Sequence, residues 1–146
     1  MTVVAWDGKT LAADRRSVVS GTIRTTTKIS RHPKKQELMA VTGCLPAGLE
    51  MQNWYISGHG PDAFPASCRQ ADNFARLIVV GQDGVFCFEG SPIPIKFDDQ
   101  HVAFGSGTDF AMAAMHMGAD ARQAVEVACA LSSECGNGID ALTFEI

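Results

Sequence analysis

The chain is 146 residues long, close to one domain at roughly 150 residues per domain, and its hydrophobic share of 46% with 19% charged residues excludes the disordered and collagen-like classes. Twelve basic against 16 acidic side chains leave a net charge of −4, which excludes the electrostatic footprint of a nucleic-acid binder, because such proteins concentrate Lys and Arg against phosphates. The nearest approach to a basic cluster, RHPKK at 31–35, reads as a solvated turn.

In chain order, TVVAW, then Asp7-Gly8, then KTLAAD predicts a β-hairpin, since both residues of the dipeptide accept the positive φ of a tight turn. The β-branched stretch GTIRTTTKI at 21–29 predicts one strand and ELMAVTGC at 37–44 another, with His32-Pro33 turning between them. PAGLEMQNWYI, from Pro46 to Ile56, has apolar residues at helical spacing behind a proline and predicts a short helix. SGHGPDAFPASC at 57–68 reads as the longest loop. RLIVVGQDGVFCFEG at 76–90 predicts a second hairpin about Asp83-Gly84, and HVAFG at 101–105 a further strand. In SGTDFAMAAMHMG the residues Phe110, Ala113, Ala114 and Met117 recur as one helix face and Gly118 is the stop. Asp120 caps a last helix, DARQAVEVACALSSE, and ALTFEI at 141–146 closes the chain as a strand. These elements predict an α+β protein with two antiparallel sheets, helices packed outside, and a single domain over 1–146.

Several motifs fail on spacing. Gly8-Lys9-Thr10 lacks the outer glycine of a P-loop and sits in a hairpin, Gly105-Ser106-Gly107 lacks the spacing of a nucleophile elbow, and Asp98-Asp99 lacks the calcium-loop pattern. The four histidines are scattered, and Cys44, Cys68, Cys87, Cys129 and Cys135 are odd in number with no C-x-x-C pair, so neither a metal site nor a disulfide framework is indicated. No apolar run approaches the roughly 20 residues of a membrane helix, and no basic region precedes the acid at position 7. The expectation is a soluble cytoplasmic protein with no cofactor and no nucleic-acid or membrane partner.

What remains is a constellation of Thr2, Asp14, Lys28, Gly43, Ser106 and the segment SSECGNGID at 132–140. A threonine hydroxyl is a weak nucleophile unless a base lies within hydrogen-bond reach, and a free α-amine on the same residue is such a base. Threonine in second position is small enough for the initiator methionine to be removed, which would create that amine. The first hairpin folds Thr2 and Asp14 to the same end of the sheet. A lysine beside both would stabilise the deprotonated hydroxyl and hold the amine neutral. Taken singly, Asp14 reads as a turn residue, Lys28 as a solvated edge charge, Ser106 as a helix cap and Gly43 as a backbone necessity.

Taken in order, the N-terminal Thr2 opening a hairpin, LAAD with Asp14, TTTKI with Lys28, AVTG with Gly43 and AFGSG with Ser106 resemble the motifs of the proteasome β-subunit family, particularly its small bacterial and phage-encoded relatives of the HslV type. The resemblance runs over most of the chain and implies the four-layer αββα sandwich of N-terminal nucleophile (Ntn) hydrolases. It implies further that Thr2 is the nucleophile with its own amine as base, that Lys28 lowers the proton affinity of the hydroxyl, and that Asp14 orients Lys28. The Gly43 N–H would serve as the oxyanion donor, a group worth about 3–4 kcal/mol to a transition state, and Ser106 would bond the Thr2 amine. Glu134 falls where the family commonly has aspartate and Asn137 where it commonly has serine, so that part of the site is altered. Ser17, Thr26, Val41 and Leu45 would surround the pocket for the residue before the cut, favouring small to medium apolar side chains. Cys44 reads as a pocket-lining residue.

Two further departures from the family are visible: a shorter first hairpin, and little room in 57–75 for a second long helix. The resemblance implies a threonine endopeptidase acting on peptides or unfolded protein inside a self-compartmentalised homo-oligomer, with an ATPase unfoldase as an optional partner. The methionine-rich FAMAAMHMG stretch suits an interface in a ring of at least six. The alternatives are an Ntn amidase for a small amide and a catalytically silent ring or interaction protein.

Overall fold

The computed structural model describes residues 2–145. Met1, whose removal the resemblance requires, and Ile146, the last residue of the ALTFEI stretch, lie outside them. The strands are β1 (Val4–Trp6), β2 (Thr10–Asp14), β3 (Arg16–Val19), β4 (Thr22–Thr25), β5 (Ile29–Arg31), β6 (Glu37–Gly43), β7 (Ala75–Gly81), β8 (Gly84–Glu89), β9 (Ile95–Phe97), β10 (Val102–Phe104) and β11 (Ile139–Thr143). The helices are α1 (Leu45–Ile56), α2 (Thr108–His116) and α3 (Ala121–Leu131). The chain divides into two compact units, residues 2–30 with 99–145 and residues 31–98. No helix among the described residues is long and apolar enough to cross a membrane.

The first unit holds a four-stranded sheet in the order β10-β1-β2-β11, every neighbour antiparallel, and the separate β3–β4 hairpin. Helices α2 and α3 pack on its sheet through Val3, Ala5, Ala12, Ala103, Ala111, Ala121, Ala124 and Ala128. Small side chains on both surfaces let helix and strand backbones approach closely, so little volume is left between them. Asp7 ties the first turn: its Oδ1 accepts from the Lys9 and Thr10 N–H groups, and its Oδ2 accepts from the Ala121 N–H at the start of α3. Asp120 caps the same helix, accepting from the Gln123 N–H while Gln123 Oε1 accepts from the Asp120 N–H. That reciprocal pair satisfies two of the donors a helix start leaves open.

The second unit carries the sheet β5-β6-β7-β8-β9, whose first strand starts as the chain leaves the first unit. Its core forms where Met39, Val41, Leu77, Val79 and Phe88 of the sheet meet Ala47, Met51, Trp54 and Tyr55 of α1. Gly48 lies directly over Val41, so close that a Cβ there would overlap Val41 Cγ1.

Four expectations need correction. The strand predicted over 21–29 is broken, with β4 ending at Thr25 and β5 starting at Ile29, because the chain turns back at Thr26, whose N–H donates to Arg15 O. The β3 strand was not foreseen; it pairs with β4 around Ser20-Gly21, both at positive φ. Both hairpin turns are shifted by one residue: the first lies about Gly8-Lys9, since Trp6 pairs with Leu11 and the Asp7 N–H donates to Thr10 O, and the second about Gln82-Asp83, since Gly81 pairs with Gly84. Helix α2 buries Ala111 and Met115, whereas Phe110 and Met117 of the predicted face are exposed. As expected, residues 57–74 hold no second long helix, only three short 3-10 turns, Pro61–Ala63, Ala66–Arg69 and Ala71–Asn73.

Candidate active site

The register of the first hairpin opposes Val4 to Ala13, which brings the residues before β1 against the end of β2. There the Asp14 N–H donates to Val3 O at 3.2 Å and the Val3 N–H donates to Asp14 Oδ1 at 3.1 Å. Thr2 and Asp14 therefore stand at one end of the sheet. Lys28 arrives from the link between β4 and β5, and its ammonium lies 2.8 Å from Asp14 Oδ1 and 3.1 Å from Thr2 Oγ1. All three residues are buried: Thr2 and Lys28 are each 6% exposed and Asp14 is 0% exposed.

A carboxylate with no access to water is costly unless its oxygens are matched by donors. Asp14 meets this condition: Oδ1 accepts from Val3 N–H and Lys28, and Oδ2 accepts from Gly136 N–H at 3.0 Å and Arg16 N–H at 3.3 Å. The negative charge so held fixes the Lys28 ammonium, which in turn donates to the Thr2 hydroxyl. That arrangement favours the alkoxide form of the hydroxyl, because a cation at hydrogen-bond distance stabilises the charged state.

The other side of Thr2 is held by the turn after β10. The Thr2 N–H donates to Ser106 Oγ at 3.0 Å, while Thr2 O accepts from the Gly107 N–H at 3.1 Å. Gly105 is required there, since it sits at φ +96° and a Cβ would collide with Thr2 O. Ser106 does not cap α2, whose N-cap is Gly107.

The remaining expected residues are distributed differently. Glu134 is exposed, with its backbone N–H on Ser132 Oγ. Asn137 spends its amide on Arg16 Nε, which donates to Asn137 Oδ1, and on Thr25 Oγ1 and Arg24 O, which accept from its Nδ2. Gly43 belongs to the second unit, where its φ is +84° and a Cβ would stand 2.5 Å from the Phe74 carbonyl oxygen, so any larger residue is excluded. Val41 is buried beneath α1 and Leu45 packs on the edge of that core, while half-buried Ser17 and Thr26 belong to the first unit, Ser17 within β3 and Thr26 just after β4. Cys44 precedes α1 and donates its N–H to Phe74 O.

Two thiols lie near Asp14. Burial pushes Cys129 up to about 11, with the Asp14 charge adding to it, and burial followed by Asp14 raises Cys135 as well. Both stay protonated near neutrality and offer no competing thiolate. No group of three or more His, Cys, Asp or Glu among the described residues is placed to hold a metal ion. The residues missed in the sequence are Val3, Arg16 and Gly136, which reach Asp14 through backbone N–H groups and so leave no side-chain signature.

No family model matches the sequence, and no curated protein matches it. Solved structures are similar to it in fold. BPH from Thiobacillus denitrificans in complex with epoxomicin has a TM-score of 0.74 at 18% identity, covering 99% of this chain and 98% of that one. A second structure of BPH from Thiobacillus denitrificans has a TM-score of 0.71 at 20% identity over the same shares. HslV from Trypanosoma brucei has a TM-score of 0.71 at 19% identity, covering 100% of each chain. The chain has the mixed α+β fold of these proteins, which is the fold its sequence resemblance implies.

Proposed function

We propose that the chain is a proteasome-type threonine peptidase, with Thr2 as nucleophile, acting on peptides or unfolded protein within a homo-oligomer. The observation that carries the reading is the buried chain of contacts from Asp14 through Lys28 to Thr2 Oγ1, at 2.8 and 3.1 Å. A solvated edge lysine has no cause to be buried against a threonine hydroxyl, whereas an ammonium that must stabilise a nucleophilic oxygen has to be there.

In the proposed reaction Met1 is first removed, freeing the Thr2 amine beside Ser106. That amine takes the hydroxyl proton as Oγ1 attacks the peptide carbonyl carbon. The tetrahedral intermediate collapses with cleavage of the C–N bond, and the ammonium returns the proton to the departing amine. Water, deprotonated by the same amine, then attacks the resulting ester and releases the acid, restoring the hydroxyl. Lys28 holds its charge throughout and stabilises the oxygen when it enters and leaves.

The intact mass of the protein should show loss of one methionine, and an epoxyketone that requires hydroxyl and free amine together should add to Thr2. Thr2→Ala should abolish both labelling and peptide cleavage, and Thr2→Ser should keep part of each. A second reading, a catalytically silent assembly protein, is favoured by the exposure of Glu134, which stands where the resemblance places an aspartate of the site. Retention of Met1 in the native host with no labelling selects that reading.

A further inference from the structure

We propose that Arg16 and Asn137 form a brace that positions Asp14, and through it Lys28 and Thr2; the proposal rests on the reading of Thr2 as nucleophile. Arg16 begins β3 two residues after Asp14 and contacts that carboxylate only through its backbone N–H. Its guanidinium reaches across the loop that follows α3. There Nη1 donates to Ser133 O at 2.6 Å and Nε donates to Asn137 Oδ1 at 3.1 Å.

Between these two grips lies Gly136, where a Cβ would stand 2.6 Å from Arg16 Nη2 and 2.9 Å from Cζ. The planar guanidinium therefore lies against the bare backbone of Gly136. That backbone is tied to the site at both its polar groups: its N–H donates to Asp14 Oδ2, and its carbonyl accepts from the Arg15 N–H at 3.0 Å. Asn137 extends the brace, since its Nδ2 donates to Thr25 Oγ1 at 2.9 Å and fastens the loop to the β3–β4 hairpin. It does so from φ +65°, a conformation asparagine and glycine adopt and most residues resist.

Without the brace, the loop keeps its buried Cys135 and the Arg15 N–H bond to Gly136 O but loses the side-chain hydrogen bonds that hold the Gly136 N–H on Asp14. The wholly buried carboxylate then keeps a single long bond, 3.3 Å, on Oδ2. It would turn toward whatever donor remains and carry the Lys28 ammonium away from Thr2 Oγ1. Misplacement of a reacting group by an ångström can cost about 100-fold in rate. Arg16 and Asn137 are positioning residues in this account, since neither side chain bonds to Thr2.

The test is the epoxyketone labelling rate at Thr2, together with kcat and KM on a fluorogenic peptide, in the assembled protein. Arg16→Ala and Asn137→Gly should each lower the labelling rate and kcat by about 10-fold or more with KM nearly unchanged. Glycine is chosen at 137 because it accepts the positive φ, so that only the amide is lost. The double variant should be no slower than the slower single variant, the signature of two residues acting as one unit. Asn137→Asp keeps the acceptor for Arg16 but loses the donor to Thr25 Oγ1 and Arg24 O, and its rate should fall between wild type and Asn137→Gly. A merely structural brace would lower the melting temperature and leave kcat per folded protein intact, which overturns the proposal. Single variants within twofold of wild type, or losses that multiply in the double variant, overturn it too. If Arg16→Ala does not fold, the Asn137→Gly and Asn137→Asp pair decides. If the wild-type protein, freed of Met1, is not labelled, the peptidase reading itself falls and this proposal with it.

Discussion

Lys28 meets the wholly buried Asp14 carboxylate, and that placement makes it a stability residue as well as a proposed catalytic one. Breaking a buried ion pair by removing one partner costs about 3–5 kcal/mol, because the other charge is left uncompensated. The Val3, Arg16 and Gly136 N–H groups on Asp14 soften that loss without cancelling it. Lys28→Ala is therefore expected to abolish turnover and to lower the melting temperature, and Lys28→Arg to restore neither, since a planar fork does not fit the place of a point charge. Combining Lys28→Met with Asp14→Asn removes the orphaned charge and should recover part of the melting temperature with no turnover. Calorimetry alongside a peptide assay checks both, and a Lys28→Ala protein that cleaves peptide removes this residue from the mechanism. The lysine was legible in TTTKI, and its burial was not, because a lysine after a run of threonines looks the same in sequence at a solvated edge.

At the scale of elements, the contact between α1 and β6 is closer than any helix propensity could suggest. A glycine in mid-helix costs about 1 kcal/mol against alanine, yet Gly48 stands where a Cβ would overlap Val41 Cγ1. Gly48→Ala should destabilise by about 1–3 kcal/mol through overpacking, despite the better propensity. Adding Val41→Ala should recover stability relative to Gly48→Ala alone, and the midpoints of urea unfolding measure both. A more stable Gly48→Ala protein would mean that α1 does not sit this closely on β6. Helix α2 teaches the related point about faces. Its apolar residues surround most of the helix, so periodicity offers several candidate faces, and contact with the sheet and α3 selects Ala111 and Met115. By contrast α3, with charged and polar residues on one side and a cap at Asp120, was readable from its start, although it ends at Leu131, three residues before the end of the predicted stretch.

For the whole molecule, the proposed assembly bears on what the first unit leaves uncovered. Phe110 on α2, Met117 just after it and Leu131 at the end of α3 are exposed, Met117 to 85%. Large apolar side chains left outside a unit's own core are what an interface between copies would cover. Light scattering at micromolar concentration should give the mass of a closed ring of at least about six chains. Met117→Glu together with Phe110→Glu should lower that mass without changing the circular dichroism. A monomeric mass for the unaltered protein removes the ring from the proposal.

By itself the sequence determined the elements whose signals are local: the first hairpin, though its turn falls at Gly8-Lys9 and not Asp7-Gly8, α1 behind its proline, α3 with its cap, and the order of Thr2, Asp14, Lys28, Gly43 and Ser106 along the chain. Each depends on neighbouring residues whose backbone preferences and spacing are written in a short window. The tertiary structure decided which of these meet. Asp14 is served by donors from positions 3, 16, 28 and 136, and three of the four are backbone N–H groups that every residue but proline possesses. A backbone donor carries no side-chain identity, so its part in a site is set by where the chain is folded, and only the folded chain shows that Gly136 and the Arg16–Asn137 brace complete it.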